Sequence, residues 1–228
     1  MGRQREFVFR TWGGKRKGAG RKSSSERRRV PHLRRCDFKS EHPLHVTLRV
    51  RDEVGRLRVR GVLGAVADAL RLVSSRADLR IVHTSIQNNH LHIYCEATSR
   101  EALARGMQSF KTSVGRRINR ALGRSGPVFA DRYHYEVVTT PRQARAVLCY
   151  VMNNWRKHHA DRGCRDHVDP FATGMYFRGW RERDIPTALV IPPGVIVLPY
   201  REPRTWLLRE GWKKHGPIGL FEVPGAKH

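Results

Sequence analysis

Two histidines separated by one residue, His90 and His92, have the spacing in this sequence that most directly suggests chemistry. On a β-strand, residues two apart point to the same face, so both imidazoles would share a face with Tyr94 and Glu96. The alternate, apolar positions would point to the other face: Leu91, Ile93, Cys95 and Ala97. Imidazole binds divalent transition ions and tolerates manganese or magnesium beside oxygen donors. The pair is therefore either a metal site or two polar residues on a solvated strand face.

A second candidate group, Tyr150 followed by Asn154, lies in a helix predicted from Pro141 to about His158. Residues four apart are neighbours on a helix surface, so the phenol and the amide would lie side by side. Asn154 is a candidate third metal ligand through its carbonyl oxygen, and Tyr150 is a candidate nucleophile toward a phosphate. A phenol with a pKa of about 10 needs a cation to stabilise the phenolate and the transition state. The alternative is an ordinary boundary tyrosine on an amphipathic helix.

The charge of the chain indicates its class of partner. Its 228 residues include 45 Lys and Arg against 20 Asp and Glu, a formal charge of +25 and a pI near 11.3. Such a surplus repels itself unless a polyanion neutralises it, so nucleic acid is the leading partner and an acidic membrane surface the second. No apolar run approaches the roughly 18 residues of a membrane span, and the basic N-terminus lacks the apolar region of a secretory signal.

The remaining motifs argue against other classes of site. The run GGKRKGAGRK at Gly13–Lys22 lacks both the spacing of a phosphate-binding loop and a preceding strand, so no small-molecule cofactor is expected. The four cysteines are widely spaced and form no CxxC pair: Cys36, Cys95, Cys149 and Cys164. We therefore expect free thiols in a reducing cytoplasm rather than a zinc knuckle or disulfide framework, with Cys95 and Cys149 buried.

Seven predicted elements position these groups. Strands are expected from about His42 to Val50 and over Leu79–Ile86, His90–Ala97 and Tyr133–Thr139, with helices over Leu57–Ser74, Ser99–Leu122 and Pro141–His158. The order predicts an α+β fold: a ferredoxin-like (βαββαβ) antiparallel sheet with two helices on one face and an extra C-terminal helix that carries the catalytic tyrosine. The other face would be open, with the third helix lying across its edge.

Three regions are predicted along the chain. Residues 1–31, with eleven Lys and Arg against two Glu, form a basic arm expected to be disordered when free; residues 32–159 form the domain, and residues 160–228 a basic aromatic extension. The extension has a strand-like patch at Ala188–Pro199 and a short helix over Arg204–Lys214. Its tryptophans, Trp180, Trp206 and Trp212, either stack on unpaired bases or pack on the domain. The candidate DNA-binding residues are Lys15, Arg16, Lys17, Arg21, Lys22, Arg132, Lys213 and Lys214.

Taken together, two motifs resemble those of the REP-associated tyrosine transposases, members of the HUH single-tyrosine superfamily. They are Asn89-His90-Leu91-His92 on the hairpin strand and Tyr150-Val151-Met152-Asn153-Asn154 on the later helix. An aromatic and basic segment separates them, as in the family: Phe129, Arg132, Tyr133 and Tyr135. The similarity spans roughly Pro43–His159. Two features depart from the family pattern: Gln87-Asn88 replaces an apolar-proline lead, and no proline follows Asn154.

The resemblance implies a chemistry and a substrate. The family cuts single-stranded DNA with magnesium or manganese through a 5′-phosphotyrosine intermediate, leaves a free 3′-hydroxyl, and recognises palindromes folded as hairpins. Carried onto this chain, His90 and His92 are metal ligands, Asn154 is a third-ligand candidate, and Tyr150 is the nucleophile. Two alternatives stay open: a catalytically degenerate DNA-binding regulator, and a replication-initiator or relaxase-type HUH nuclease. Whether one molecule or two form the active unit is also open.

Overall fold

A computed structural model describes residues 36–161, 168–182 and 196–225. The chain divides into residues 1–31 and 32–228, and every described residue lies in the second unit. The five candidate DNA-binding residues of the arm, Lys15, Arg16, Lys17, Arg21 and Lys22, therefore lie outside the described residues. So do Cys164 and most of the predicted patch at Ala188–Pro199; residues 196–199 of that patch form no strand.

The described part has four strands and four α-helices. The strands are β1 (Leu44–Arg49), β2 (Leu79–Ile86), β3 (His90–Ala97) and β4 (His134–Val137); the helices are α1 (Arg60–Ser74), α2 (Arg100–Ala121), α3 (Pro141–Lys157) and α4 (Trp206–Arg209). The strands form one antiparallel sheet in the order β2-β3-β1-β4. The predicted α+β class with a four-stranded antiparallel sheet is confirmed. No helix of the described residues is long and apolar enough to cross a membrane.

The first face of the sheet packs against α1 and α2. Its strand residues are apolar at alternate positions, and Val46 of β1 and Ile93 of β3 are fully buried there. The α2 helix contributes Phe110 to this core and begins at the predicted N-cap, Ser99, whose hydroxyl accepts a hydrogen bond from the Ala102 backbone N–H. Local pattern and tertiary packing therefore agree on this face.

The second face is covered, so the prediction of an open face with α3 across its edge is wrong. Tyr94 of β3 and Val82 of β2 lie in one buried cluster with Leu148 and Met152 of α3. Trp212 belongs to the same cluster and lies in the C-terminal segment, which is the described range 196–225. Val82 is the extra residue of an irregularity between the Ile81 and His83 pairings. Apolar side chains on this face need a cover, and α3 and the C-terminal segment supply it.

The C-terminal segment is attached to the sheet through a carboxylate. Glu96, at the end of β3, accepts hydrogen bonds from the backbone N–H groups of Arg204 and Thr205 and from the Thr205 hydroxyl, at 2.8–3.0 Å. The helix expected over Arg204–Lys214 is split, because Glu210 leaves helical geometry between α4 and a 3-10 turn at Gly211–His215. Among the cysteines of the described residues, Cys95 and Cys149 are buried and Cys36 is exposed, and all three are free thiols.

Candidate active site

The two histidines of β3 lie on the second face of the sheet, where β3 has β1 on one side and β2 on the other. Register pairs His92 with Thr47 of β1 and with Ser85 of β2, and pairs His90 with Arg49. The two imidazole ring centroids are 4.6 Å apart and the rings are nearly perpendicular. His90 Nδ1 lies at hydrogen-bond distance, 2.7 Å, from the side-chain oxygen of Asn89. The hairpin thus brings both imidazoles close enough for one ion to contact both.

Burial keeps both imidazoles neutral. Loss of solvent lowers the pKa of His92 to about 2 and that of His90 to about 4, and neighbouring cationic or imidazole groups act in the same direction. A metal ion binds the neutral form of histidine. The two side chains are therefore in the protonation state that a metal site requires at neutral pH.

His45 and Thr47 of β1 hold His92, and the sequence reasoning missed them as site residues. His45 Nε2 lies 3.1 Å and Thr47 Oγ1 3.3 Å from His92 Nδ1. With Nδ1 occupied, the other ring nitrogen of His92, Nε2, is buried and has no hydrogen-bond partner among the described residues. The alternation of β1 placed His45 and Thr47 on its polar side, but only the pairing of β1 with β3 brings them to His92.

The third helix brings Tyr150 to the same place. Its ring centroid is 4.9 Å from that of His92 and 5.8 Å from that of His45. The helix begins with Pro141 after a capping box in which Thr140 and Gln143 exchange hydrogen bonds with each other's backbone. The sequence therefore fixes where the helix starts, and the packing of the helix on the sheet fixes which groups its second half meets.

Asn154, one turn beyond Tyr150, is fully buried, and neither its Oδ1 nor its Nδ2 has a hydrogen-bond partner among the described residues. Buried amides without partners are rare, and where they occur a bound ion or an ordered water often satisfies them. The Asn154 amide approaches the Tyr150 hydroxyl without meeting hydrogen-bond geometry. Asn154 therefore places an unsatisfied oxygen acceptor and an unsatisfied nitrogen donor beside the phenol.

The phenol itself is not activated by its protein surroundings. Burial raises the pKa of Tyr150, the Asn154 amide acts against burial, and Glu136 raises the pKa further. A cation is close by: Lys157 Nζ lies 5.5 Å from the centre of the Tyr150 ring. Lys157 is another residue missed from the sequence, although its position two turns after Tyr150 on the same helix was a usable signal.

The donor set fits a divalent ion. The residues that would hold it are His92 through the unpartnered Nε2, His90, and Asn154 through its unpartnered carbonyl oxygen. Within residues 36–161, 168–182 and 196–225, no group of three or more His, Cys, Asp and Glu is arranged to hold a metal ion. The Asn154 amide oxygen is a candidate third ligand, of a kind that suits a manganese or magnesium ion beside imidazoles.

Hydrogen bonds to the C-terminal segment hold α3 in addition to its packing on the sheet. Asn153 Nδ2 donates to the backbone oxygens of Gly219 and Glu222, both at 2.9 Å, and Arg156 Nε donates to that of Leu220 at 2.8 Å. Arg145 forms a bidentate ion pair with Glu222 at 2.7 and 2.8 Å. The helix that carries Tyr150 is thus held by the sheet and by the C-terminal segment, which limits the positions that the phenol can adopt.

A polar cavity of about 450 Å³ opens beside His90. His158, whose ring centroid is 5.9 Å from that of His90, lines it together with Arg56 and the Gln87–Asn89 turn. The cavity gives an approach from solvent to the outer histidine, by which a phosphate could reach the cluster.

The other predicted site residues lie apart from the cluster. Arg132 is exposed in the segment before β4. Lys213 forms an ion pair with Glu210 at 2.9 Å, and Lys214 Nζ lies 5.1 Å from the Trp206 ring centre. The structure therefore brings together the predicted metal ligands and nucleophile, and leaves the described basic residues of the prediction on the surface.

Comparison with known proteins identifies a family. The family model described as "Transposase IS200 like" matches residues 38–154. A solved structure of a REP-associated tyrosine transposase bound to a REP hairpin matches at 16% identity and a TM-score of 0.49, covering 77% of this chain and 96% of that one. A putative transposase from Deinococcus radiodurans R1 matches at 16% identity and a TM-score of 0.37, covering 53% and 94%. No curated protein matches.

Proposed function

Because the chain belongs to the family of IS200-like transposases, we propose that it is a metal-dependent nuclease and strand transferase acting on single-stranded DNA that folds into palindromic hairpins. The observation that carries the proposal is the position of Tyr150. Its ring lies 4.9 Å from that of His92, whose Nε2 is unpartnered, and its neighbour one turn along α3 is the unpartnered Asn154 amide. A tyrosine with a purely structural role has no need of two unsatisfied polar groups beside it.

In this proposal His90, His92 and Asn154 hold a magnesium or manganese ion. When bound, the ion withdraws charge from the scissile phosphate and lowers the cost of forming the phenolate. His45 and Thr47 fix the orientation of the His92 ring through Nδ1 and leave Nε2 for the ion. Neutral imidazoles let the site load at physiological pH without prior deprotonation.

The reaction that these residues support conserves the phosphodiester. Tyr150 Oη forms a bond to phosphorus while the bond from phosphorus to the 3′ oxygen breaks. The phenol loses a proton and the departing 3′ oxygen gains one, so the step is balanced without a nucleotide cofactor. The products are a 5′-phosphotyrosine and a free 3′-hydroxyl, and attack by a 3′-hydroxyl on the phosphotyrosine reseals a strand. Lys157, whose Nζ lies 5.5 Å from the centre of the Tyr150 ring, attracts the incoming phosphate.

Affinity for DNA comes from elsewhere on the chain. We propose a ferredoxin-like nuclease domain over residues 32–159, a phosphate-binding arm over residues 1–31 that includes Lys15, Arg16, Lys17, Arg21 and Lys22, and an extension over residues 160–228. The formal charge of +25 supports a role in binding DNA, because counterion release by basic residues gives sequence-independent affinity. Arg132, Lys213 and Lys214 are exposed and are proposed to contribute to the same affinity.

The direct test is a covalent adduct. The wild-type protein, incubated with manganese and hairpin single strands from its own genomic flanks, is expected to form a protein–DNA species that survives denaturation. Tyr150→Phe removes only the hydroxyl, so it should bind the hairpin and form no adduct. Chelator should also prevent the adduct.

Each alternative has its own outcome. Hairpin binding that is unaffected by chelator, with no adduct from the wild type under any metal, would establish a DNA-binding regulator instead. Adducts formed at a plasmid or phage origin but not at chromosomal palindromes would establish an initiator-type nuclease.

A further inference from the structure

A second, larger cavity of about 970 Å³ lies between β2 and the C-terminal segment, away from the histidine pair. Its lining is rich in rings: His83, Tyr176, Phe177, Trp180, Tyr200 and Trp212. Phe177 and Trp212 are buried, whereas Tyr176, Trp180 and Tyr200 are only partly buried. A pocket with buried aromatic rings and accessible aromatic faces can stack a planar ligand.

The accessible rings are already ordered for stacking. Tyr176 and Tyr200 lie parallel, with centroids 5.1 Å apart and planes 8° from each other. His83 packs against Tyr200 with a centroid distance of 5.2 Å, and a hydrogen bond links its Nδ1 to the Thr173 hydroxyl. Because these rings hold one another, a ligand that stacks on them does not have to order flexible side chains first.

Cations surround the rings. Arg178, Arg181 and Arg209 line the cavity and are exposed, and none of them has an ion-pair partner among the described residues. Of the two acidic groups in the lining, Glu210 pairs with Lys213 at 2.9 Å. Glu202 accepts a hydrogen bond from the Tyr200 hydroxyl at 3.0 Å and keeps its charge, so three arginines face one carboxylate. The uncompensated charge at the cavity is therefore positive and suits an anionic ligand.

The cavity lies on the same sheet face as the candidate active site. In the β2–β3 ladder, His83 pairs with Tyr94, and the next pair on that face is Ser85 with His92. Two residues along a strand span about 7 Å. His83, which lines the cavity, is therefore one same-face position along the sheet from the row that holds His92.

We propose that this cavity binds an unpaired nucleotide of the DNA strand held at the active site. The base stacks against the Tyr176–Tyr200 pair, and the three arginines bind its phosphate. This combination of aromatic faces and basic side chains is the one that proteins use to bind single strands. The inference rests on the proposed function, because it takes its ligand from the same DNA, and it gives the C-terminal extension a role besides holding α3.

The test is a set of double-mutant cycles between protein and DNA, measured as dissociation constants by fluorescence anisotropy in chelator. The probe is a hairpin with a short single-stranded tail, in which one tail position at a time is made abasic. In the wild type, one position should weaken binding roughly 5- to 100-fold when its base is removed. In Tyr176→Leu, which keeps an apolar side chain without the aromatic face, removal of the same base should have no further effect.

Matched variants separate stacking from folding. Trp206→Leu removes an exposed aromatic of the same extension that does not line the cavity, and it should keep the full abasic effect. Arg178→Gln, at an exposed position outside the core, should weaken binding to the tailed hairpin and leave the untailed hairpin unchanged. A free mononucleotide should compete only at far higher concentration than the tail, because one stacked base without the rest of the strand gains little affinity.

The outcomes distinguish the two levels of inference. If every abasic position weakens Tyr176→Leu as much as the wild type, the cavity does not bind a nucleotide, whatever the enzyme does. If the coupling is present but no covalent adduct forms with manganese, the cavity binds DNA and the nuclease proposal fails. Tight competition by the free mononucleotide would instead assign the cavity to a small-molecule nucleotide and overturn the proposed strand.

Discussion

The two faces of the sheet are built on different principles. The first face buries alternating apolar side chains such as Leu91 and Ile93 against α1 and α2, elements that are close to the strands in sequence. The second face mixes polar groups, His92 and Glu96, with apolar ones such as Tyr94, and residues from the far end of the chain complete it. Both faces are buried, but only one is buried by a hydrophobic pattern alone.

The difference shows where stability and chemistry reside. On the first face, each apolar side chain stabilises the fold because folding removes its surface from water. On the second, Glu96 is satisfied by Thr205, whereas His92 Nε2 and the Asn154 amide are buried without partners among the described residues. Buried polar atoms without partners destabilise a fold by about 1–3 kcal/mol each. These two unpartnered groups, both near Tyr150, support the proposal that His92 and Asn154 hold a ligand.

The largest expected effect comes from His92→Ala. The substitution removes the unpartnered ligand atom beside Tyr150, so metal-dependent cleavage should fall below detection while hairpin binding persists. His90→Ala should behave in the same way, since one imidazole cannot hold the ion alone. Gel assays of cleavage and anisotropy of binding measure the two effects separately. Cleavage by either variant at the wild-type rate, or by the wild type in chelator, would show that the reaction does not use a metal ion at this site.

Leu91→Ala tests the first face at the adjacent residue of the same strand. Leu91 is fully buried in the core under α1 and α2, so its truncation should lower the free energy of unfolding by about 2–5 kcal/mol. The fraction that remains folded should cleave at the normal rate, because Leu91 points away from the site. Urea denaturation measures the loss. If cleavage per folded molecule were also lost, the first face would contribute to catalysis as well as to stability.

A smaller effect is expected for His45→Ala. The substitution removes the hydrogen-bond partner 3.1 Å from His92 Nδ1, and loss of such a group costs about 10- to 100-fold in metal affinity or activity. Manganese affinity, measured by calorimetry, should fall with the cleavage rate. The matched control is His42→Ala, which removes a histidine that precedes β1 and approaches Glu41. Unchanged manganese affinity in His45→Ala would reduce His45 to a packing residue.

The ion pair between Arg145 and Glu222, which holds the C-terminal segment to α3, should make the free energy of unfolding depend on pH. Hydrogen bonds from Arg145 lower the pKa of Glu222 to about 2 from an ordinary value of 4.5. A depressed carboxylate pKa adds stability that is complete above about pH 4.5 and is lost as the pH falls toward 2. Glu222→Gln should therefore be less stable than the wild type at neutral pH, and the difference should shrink between about pH 4.5 and 2. A difference that stays constant across that interval would show that the pair does not hold α3.

The predictability of the two faces follows the same division. Strand alternation, the Ser99 N-cap and Pro141 are local signals, and they set the sheet and the helix starts that the structure contains. The spacing of His90 and His92 and of Tyr150 and Asn154 is also local. Within the described residues these side chains do come together, although their roles in catalysis stay predictions.

What the sequence could not show depends on distant pairings. Glu96 and Thr205 are 109 residues apart, and nothing in either segment predicts that a carboxylate will bind the N-terminus of a later helix. His45 becomes part of the site only through the register of β1 with β3. The prediction that the second face is open was wrong for the same reason. The residues of the C-terminal segment that help to cover this face have a mixed glycine, proline and aromatic composition without a periodic pattern.

The smallest expected effect belongs to Tyr94→Phe, and it decides which tyrosine is the nucleophile. Tyr94 shares a strand face with both histidines, yet it is fully buried, and its hydroxyl has no hydrogen-bond partner among the described residues. Burial raises its pKa well above the usual value, and no phosphate can reach it under α3. Removing a buried, unpaired hydroxyl should leave the free energy of unfolding unchanged or raise it by up to about 1 kcal/mol.

Cleavage by Tyr94→Phe should match the wild type, in contrast to the complete loss in Tyr150→Phe. The two variants make the same chemical change on opposite sides of one interface, which makes each the control for the other. Mass spectrometry of the trapped adduct should place the DNA on Tyr150. If Tyr94→Phe lost the adduct while remaining folded, the second face would have to open during the reaction, and its cover by α3 would be a gate to the site rather than a fixed support.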